Sequence, residues 1–277
     1  MSWGFLIFGI IVSTLLMLLM AMKWRFPETV AWAGSSAVAL IVALAFIWIY
    51  PLSSSVWVRA MVLLGQVIVS LALGLSLVLL RFWRDPERAP PSGRGLVLSP
   101  ADGKIGYVMS LDSGSTPMLS KQGRDFLVAE LTGANRLTAA TCLIGVEMSF
   151  LDVHVNRCPI SGKVTLLKQI EGQFMSLGRE EAQFLNARCT TVIEGRSLTL
   201  AVVQIASRLV RRVESYLSLN ATVTSGQRLG MIRFGSLVAV VLPQREDIQI
   251  LAKPGDRVTA GESILACYEE QAQRGDE

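Results

Sequence analysis

The sequence predicts a mainly β soluble domain, built of packed sheets or a flattened barrel, behind an N-terminal anchor of three transmembrane helices. Two observations carry this. From Met1 to Trp83 the only charged residues are Lys23, Arg25, Glu28, Arg59 and Arg81, and three apolar runs there are each long enough to cross a bilayer. Behind Arg84 the chain becomes an ordinary charged sequence. Its apolar residues come in short runs bounded by turn residues, with no amphipathic helix long enough to dominate. A chain of 277 residues suffices for one sizeable core besides the membrane part. The division falls at residue 84, with 1–84 as the anchor and 85–277 as the soluble domain.

The three runs are Trp3 to Met22, Val30 to Ile49, and Ala60 to Leu80. At 1.5 Å per residue each matches the hydrocarbon thickness. The first is too long for a signal peptide, lacks a basic start, and has no small-residue cleavage site. Trp3, Trp24, Trp32, Trp48, Trp57 and Trp83 all fall at or near span ends, where indole rings prefer to sit. Lys23 and Arg25 lie between spans one and two, and Arg81, Arg84, Arg88 and Arg94 follow span three; only Arg59 lies on the opposite side. The positive-inside rule then puts the soluble domain in the cytoplasm. Gly34, Ser35 and Ser36 are small enough to let helices pack closely. No ionisable residue sits mid-span, which argues against an ion pathway.

Composition narrows the chemistry. One histidine rules out a multi-histidine metal site, and no metal site is expected. Cys142, Cys158, Cys189 and Cys267 form no CxxC pair, so they read as small core residues in a reducing compartment. A net charge of +4 suits an anionic lipid surface. The basic residues are scattered without an aromatic stripe, so nucleic acid is not expected as a partner.

Along the soluble domain, Arg81-Phe82-Trp83-Arg84-Asp85-Pro86-Glu87-Arg88 is the membrane exit. Its prolines make a stiff connector and its arginines suit headgroup level. Asp102-Gly103, in Ser99-Pro100-Ala101-Asp102-Gly103, is a tight-turn signal between apolar runs. Residues 111–136 read as a long polar loop. In Asp152-Val153-His154-Val155-Asn156-Arg157, strand alternation puts Asp152, His154 and Asn156 on one face. Any histidine-dependent step must use His154. Ile160 to Leu167 and Thr190 to Ile205 read as further strands, the second turning at Glu194-Gly195. Arg208, Arg211 and Arg212 form a small basic cluster, by default a solvated face. Lys253 to Glu262 reads as a turn-rich, lipoyl-like hairpin.

Met231 to Pro243 is the stretch with the sharpest possibility. Six apolar residues follow Ser236 before Pro243, which suits a buried strand. Gly235 then reads as a bulge or close backbone approach. Alternatively, the Gly235–Ser236 peptide is itself reactive. Glycine permits a bend, buried strands hold it, and the Ser236 hydroxyl attacks the preceding carbonyl. An ester forms and eliminates, and Ser236 ends as a pyruvoyl ketone.

Taken together, these motifs resemble phosphatidylserine decarboxylase proenzymes of the short prokaryotic form, from about Arg81 to Ala266. The markers are the Phe-Trp-Arg-Asp-Pro exit, Ser99 to Gly103, Asp152 to Arg157 with Pro159, Asn186-Ala187-Arg188, and Arg233-Phe234-Gly235-Ser236. The resemblance implies self-cleavage between Gly235 and Ser236, with both pieces staying associated and a covalent pyruvoyl group from Ser236 as cofactor. It implies Asp102 in self-cleavage and His154 in decarboxylation. Long-form enzymes carry a second histidine where this chain has Arg157, and the family's usual Asn-Glu-Arg has Ala187 in the middle. The implied activity is that of a carboxy-lyase, converting phosphatidylserine to phosphatidylethanolamine and CO2. The ketone condenses with the substrate amine and serves as electron sink, and His154 is the candidate acid for Cα. Expected partners are phosphatidylserine, anionic lipid headgroups and, as a further expectation, a second copy in a homodimer. The expected location is a bacterial inner membrane, multi-pass. A lipoyl or biotin carrier is the non-enzymatic alternative, but it lacks a lysine at the hairpin tip, since Lys253 precedes the turn. A serine hydrolase using Ser236 and His154 lacks the Gly-x-Ser-x-Gly elbow. An uncleaved, diverged relative is the third reading.

Overall fold

A computed structural model describes residues 2–24, 26–52, 55–111, 118–121, 124–127, 132, 141–173, 175–176, 182–207, 213–232 and 236–269. Gly235, Arg25, the Arg208–Arg212 cluster and most of the polar 111–136 segment lie outside these residues, as does the side chain of Ser236. The chain forms two compact units: Met1–Arg84 with Ser149–Leu151, and Asp85–Met148 with Asp152–Glu277. The three-residue segment Ser149–Leu151, expected within the soluble domain, thus belongs to the helical unit.

The helical unit holds α1 (Ser2–Lys23), α2 (Glu28–Phe46) and α3 (Val56–Phe82), with a 3-10 turn at Tyr50–Leu52. All three helices are long and apolar enough to cross a membrane. Their outward residues, such as Leu19, Ile41 and Leu64, are exposed, as lipid-facing residues are. Tyr50 donates to the buried Gln66 side chain, 2.8 Å away. Of the small residues expected to mediate packing, Ser35 is buried. Gly34 is not at a close contact: a Cβ added there would meet nothing within 4 Å.

The second unit is built on an antiparallel eight-stranded sheet that curls into a half-barrel, in the order β11-β7-β8-β9-β13-β5-β2-β15. Its members are β2 (Gly103–Leu111), β5 (Thr141–Met148), β7 (Gly162–Ile170), β8 (Arg188–Glu194), β9 (Thr199–Ile205), β11 (Thr222–Val223), β13 (Ser236–Pro243) and β15 (Arg257–Val258). Strand alternation is explicit in the core. Val238, Val240 and Leu242 of β13 join Ile144 and Val146 of β5 and Leu200 and Val202 of β9 on one face. Leu237, Ala239 and Val241 face the other way, with Leu143, Val203 and Ile205. Because both faces are apolar, the central strands read as continuous apolar runs rather than alternating ones.

Two three-stranded sheets contribute to the first of these cores. One is β1 (Leu96–Leu98), β16 (Ile264–Tyr268) and β14 (Ile248–Ile250); the other is β10 (Val213–Ser215), β12 (Arg228–Ile232) and β6 (Val155–Arg157). The turn at Asp102-Gly103 forms, but it does not close a hairpin. The strand before it, β1, pairs with β16, whereas β2 after it pairs with β5. Gly103 is required there, since its φ is 151° and a Cβ would run into the Glu147 carbonyl oxygen. The 253–262 stretch also departs from a self-paired hairpin, because β15 pairs with β2. The four cysteines are free. Burial pushes the Cys158 thiol up to about 12 and Cys189 to about 11, so both stay protonated near neutral pH.

Candidate active site

Register brings the distant motifs to one end of the large sheet. Ser236, the first residue of β13, pairs with Met148, the last residue of β5. On the far side of β5, Lys104 of β2 pairs with Glu147, so Asp102-Gly103 lies beside the end of β5. On the other side of β13, Leu237 pairs with Ile205 at the end of β9, and Ile205 pairs with Arg188 at the start of β8. The Asn186-Ala187-Arg188 motif, Ser236 and Asp102 therefore sit along one row of strand ends. Neighbouring strands are about 4.8 Å apart, so Asp102 is two spacings, about 10 Å, from Ser236 along the row.

His154 follows β5 by six residues and lies just ahead of β6. It is fully buried. Its carbonyl accepts from Ile232 N at 3.2 Å. Ile232 ends β12, so the segment holding Gly235 is bracketed: one flank is tied to His154 and the other to Met148. The His154 ring is also oriented, since Nδ1 lies 2.8 Å from the Asp152 carbonyl oxygen. In the neutral ring that bond puts the proton on Nδ1 and makes Nε2 the acceptor. Arg257 Nη1 in turn contacts Asp152 Oδ1 at 3.2 Å.

Asp102 is differently employed. Arg88 Nη2 donates to both of its oxygens, at 2.9 and 3.2 Å, and Ala260 N donates to Oδ1 at 2.8 Å. The carboxylate thereby ties the connector to the turn before β16. The Arg88 guanidinium is thus committed to a carboxylate within its own unit. Arg228 binds Asp85 and Glu87 at 2.6 and 2.7 Å and pins the same connector to β12. That guanidinium holds the Glu87 carboxyl below the usual carboxylate range.

Arg157 occupies the position of the long-form second histidine, and its guanidinium is committed to backbone. It donates to the Gly226 and Pro86 carbonyls at 2.9 and 2.8 Å and lies 3.5 Å from Asp85. This buried arginine is a tie between β6, a turn and the connector. Asn186 is likewise a bracket, bonded to Met175 through both amide atoms and to the Ala206 carbonyl. Ala187 packs against the main core, so that position offers no charge.

One pair was not singled out from sequence. Gln204 of β9 and Asn156 of β6 are both fully buried, and Gln204 Nε2 donates to Asn156 Oδ1 at 2.7 Å. Asn156 Nδ2 faces the Met148 sulfur at 3.9 Å, opposite Ser236 in the ladder. Thioether sulfur is only an acceptor, which fixes the orientation of the Asn156 amide. The only available signal was a lone glutamine inside an otherwise apolar strand. Removing one partner strands a buried polar group, whereas removing both does not. Gln204→Leu and Asn156→Leu are each expected to lower stability by about 1–3 kcal/mol, with the double variant losing clearly less than their sum. Thermal denaturation of the four chains in one detergent checks this.

Comparison with known proteins agrees with this arrangement. Residues 75–266 match the family model described as phosphatidylserine decarboxylase. A phosphatidylserine decarboxylase proenzyme of Chlorobaculum tepidum is 36% identical over 201 residues, covering 73% of this chain and 82% of the relative. One from Azorhizobium caulinodans is 34% identical over 199 residues, covering 72% and 77%. A Methanocaldococcus jannaschii protein named "Putative archaetidylserine decarboxylase proenzyme" is 36% identical over 193 residues, covering 69% and 90%. With the family's motifs gathered at one sheet end and the match running through most of the soluble unit, the chain belongs to the phosphatidylserine decarboxylase family of carboxy-lyases.

Proposed function

We propose that this protein is a membrane-bound phosphatidylserine decarboxylase that matures by cutting itself between Gly235 and Ser236. The observation that carries the reading is the bracketing of that bond by His154 and Met148 at the sheet end. Ser236 heads a strand paired on both sides, with β5 and with β9. A chain end formed there keeps its ladder, so the residues present suit a pyruvoyl group made from Ser236. Such a group, held at the head of β13, would supply an electrophile for the substrate amine and a sink for the electrons left by departing CO2.

The chain's own residues do the rest. The Asp152 carbonyl holds Nδ1–H of the His154 ring, which leaves Nε2 as the nitrogen that takes up a proton and then delivers it to the substrate's α carbon. Burial of His154 and Asn156 keeps bulk water from quenching that carbon. Asp102, clamped by Arg88 and Ala260, positions the start of β2 beside the end of β5, one strand removed from β13, and supports self-cleavage. A lipid substrate does not readily leave the bilayer, since each methylene contributes about 0.8 kcal/mol to its retention. Three membrane-spanning helices tether the soluble unit to the membrane that holds its substrate, in the cytoplasm of a bacterial inner membrane by the positive-inside rule.

The test is mass spectrometry and lipid assay on the purified full-length protein. Expected are a fragment of residues 236–277, blocked to Edman sequencing but reactive with hydroxylamine, and release of CO2 from phosphatidylserine micelles. A folded sample containing only intact chain would remove the enzyme reading. Turnover of an ether-linked serine lipid but not the ester-linked one would move the substrate to the archaeal type.

A further inference from the structure

The helical unit contains a cleft that the decarboxylase reading leaves unused. It measures ≈ 200 Å³ and is lined almost wholly by apolar side chains, among them Met17, Val38 and Leu71, with Arg81 as the only charged lining residue among the described residues. It exists because the facing residues are small. Ala31, Gly34 and Ser35 of α2 and Gly74 of α3 all line it, and a Cβ at Gly34 would meet nothing within 4 Å.

Its dimensions are those of one leaflet. Along α3 the lining runs from Leu71 to Arg81, ten residue steps, or about 15 Å at the helical rise. That is half of a hydrocarbon core about 30 Å thick. All the lining segments sit at the same end of their helices: the end of α1, the start of α2 and the end of α3. The cation therefore stands at one extremity, where a lipid phosphate lies when its chain points toward the bilayer centre.

The same extremity is built partly from the segment between β5 and β6. Leu151 lines the cleft. Phe150 stacks on Trp24 at 5.1 Å and 22°, and Arg84 Nη2 donates to the Leu151 carbonyl at 3.0 Å. Three residues further along the chain is His154. Covalent geometry alone keeps its Cα within about 11 Å of that of Leu151.

We propose that the cleft seats an acyl chain of an anionic glycerophospholipid, the substrate itself, with its net-negative headgroup beside Arg81; the phosphate of a choline lipid is neutralised by its own cation and gains less there. This rests on the decarboxylase reading for the identity of the lipid, while the binding site stands on the geometry of the helical unit. The cleft acts as a substrate rail: it selects a chain in one leaflet and delivers the headgroup end to the segment that carries His154.

The experiment uses full-length protein in nanodiscs with two probes of identical diazirine-bearing acyl chain, one phosphatidylserine and one phosphatidylcholine. Expected is labelling of residues 17–38 and 71–81 at least five-fold stronger with the serine lipid. Gly34→Leu, which fills the cleft without a backbone clash, should reduce that labelling at least five-fold. The same variant should raise KM several-fold for a long-chain serine lipid, with kcat on a dihexanoyl serine lipid unchanged and self-cleavage complete. Arg81→Gln should remove the headgroup preference while leaving labelling by the choline lipid as it was. Equal labelling by both probes in the wild type means annular lipid only and overturns the proposal, as does an unchanged long-chain KM in Gly34→Leu. Headgroup-selective labelling without any decarboxylation would instead sink the activity reading and leave the site in place.

Discussion

Ser236→Ala is expected to stay one chain and to make no phosphatidylethanolamine, with the rate at the assay background. Such a loss is at least about 10⁴-fold, because the nucleophile and the future electron sink are the same residue. In the proposed self-cleavage the hydroxyl oxygen attacks the Gly235 carbonyl, which breaks the amide C–N bond and forms an ester. Elimination then releases the Gly235 carboxylate, and hydrolysis with loss of ammonia leaves the ketone. Alanine has no oxygen with which to begin. The fold should be unaffected, since the ladder of β13 to β5 and β9 is made by backbone. A normal melting temperature with an intact band on a denaturing gel is the expected pair of readings. A cut chain in this variant would show that another bond breaks.

His154→Ala is expected to lose about 10²- to 10⁴-fold in turnover per matured chain, the range that general acid–base catalysis contributes. The number of matured chains is counted by hydroxylamine-reactive ends, which separates decarboxylation from self-cleavage. His154→Asn is the companion, because its amide retains a donor toward the Asp152 carbonyl but is no acid that can hand a proton to carbon near neutral pH. It should fold as the wild type does and be equally slow. Normal turnover in either variant would refute the role. Arg157 is a poor substitute in any proton step, since its donors are occupied by two carbonyls and Asp85.

Much of this architecture was legible in the residues. Three spans emerge from length and hydropathy, because the bilayer imposes a length that water does not. The strands at 162–170, 188–194 and 199–205 are announced by apolar runs broken at glycine. The gathering of Asp102, Met148, Ser236 and Arg188 at one sheet end was not legible. Pairing partners there are separated by tens of residues, and register is a property of two strands rather than of either one. For the same reason Asp102-Gly103 resembles a hairpin turn yet joins strands of two different sheets. The partners of Asp102, Arg157 and Asn186 were hidden because each is fixed by backbone or charge from a remote segment. Gly34 was misleading in a simpler way, since small residues bring helices together only when something faces them.

The position of β13 between β5 and β9 has a consequence for the life history of the protein. In the precursor, one continuous thread carries that strand to its slot, so assembly is unimolecular. On the proposed scission the two pieces would remain docked but would no longer be tethered across the break, and the effective concentration that a tether supplies would be gone. Denatured mature enzyme should therefore regain structure at a rate that falls on dilution, whereas the Ser236→Ala precursor should not show that dependence. On the proposed maturation, the instructions for reaching this architecture would be used a single time and then erased by the event that makes the molecule active.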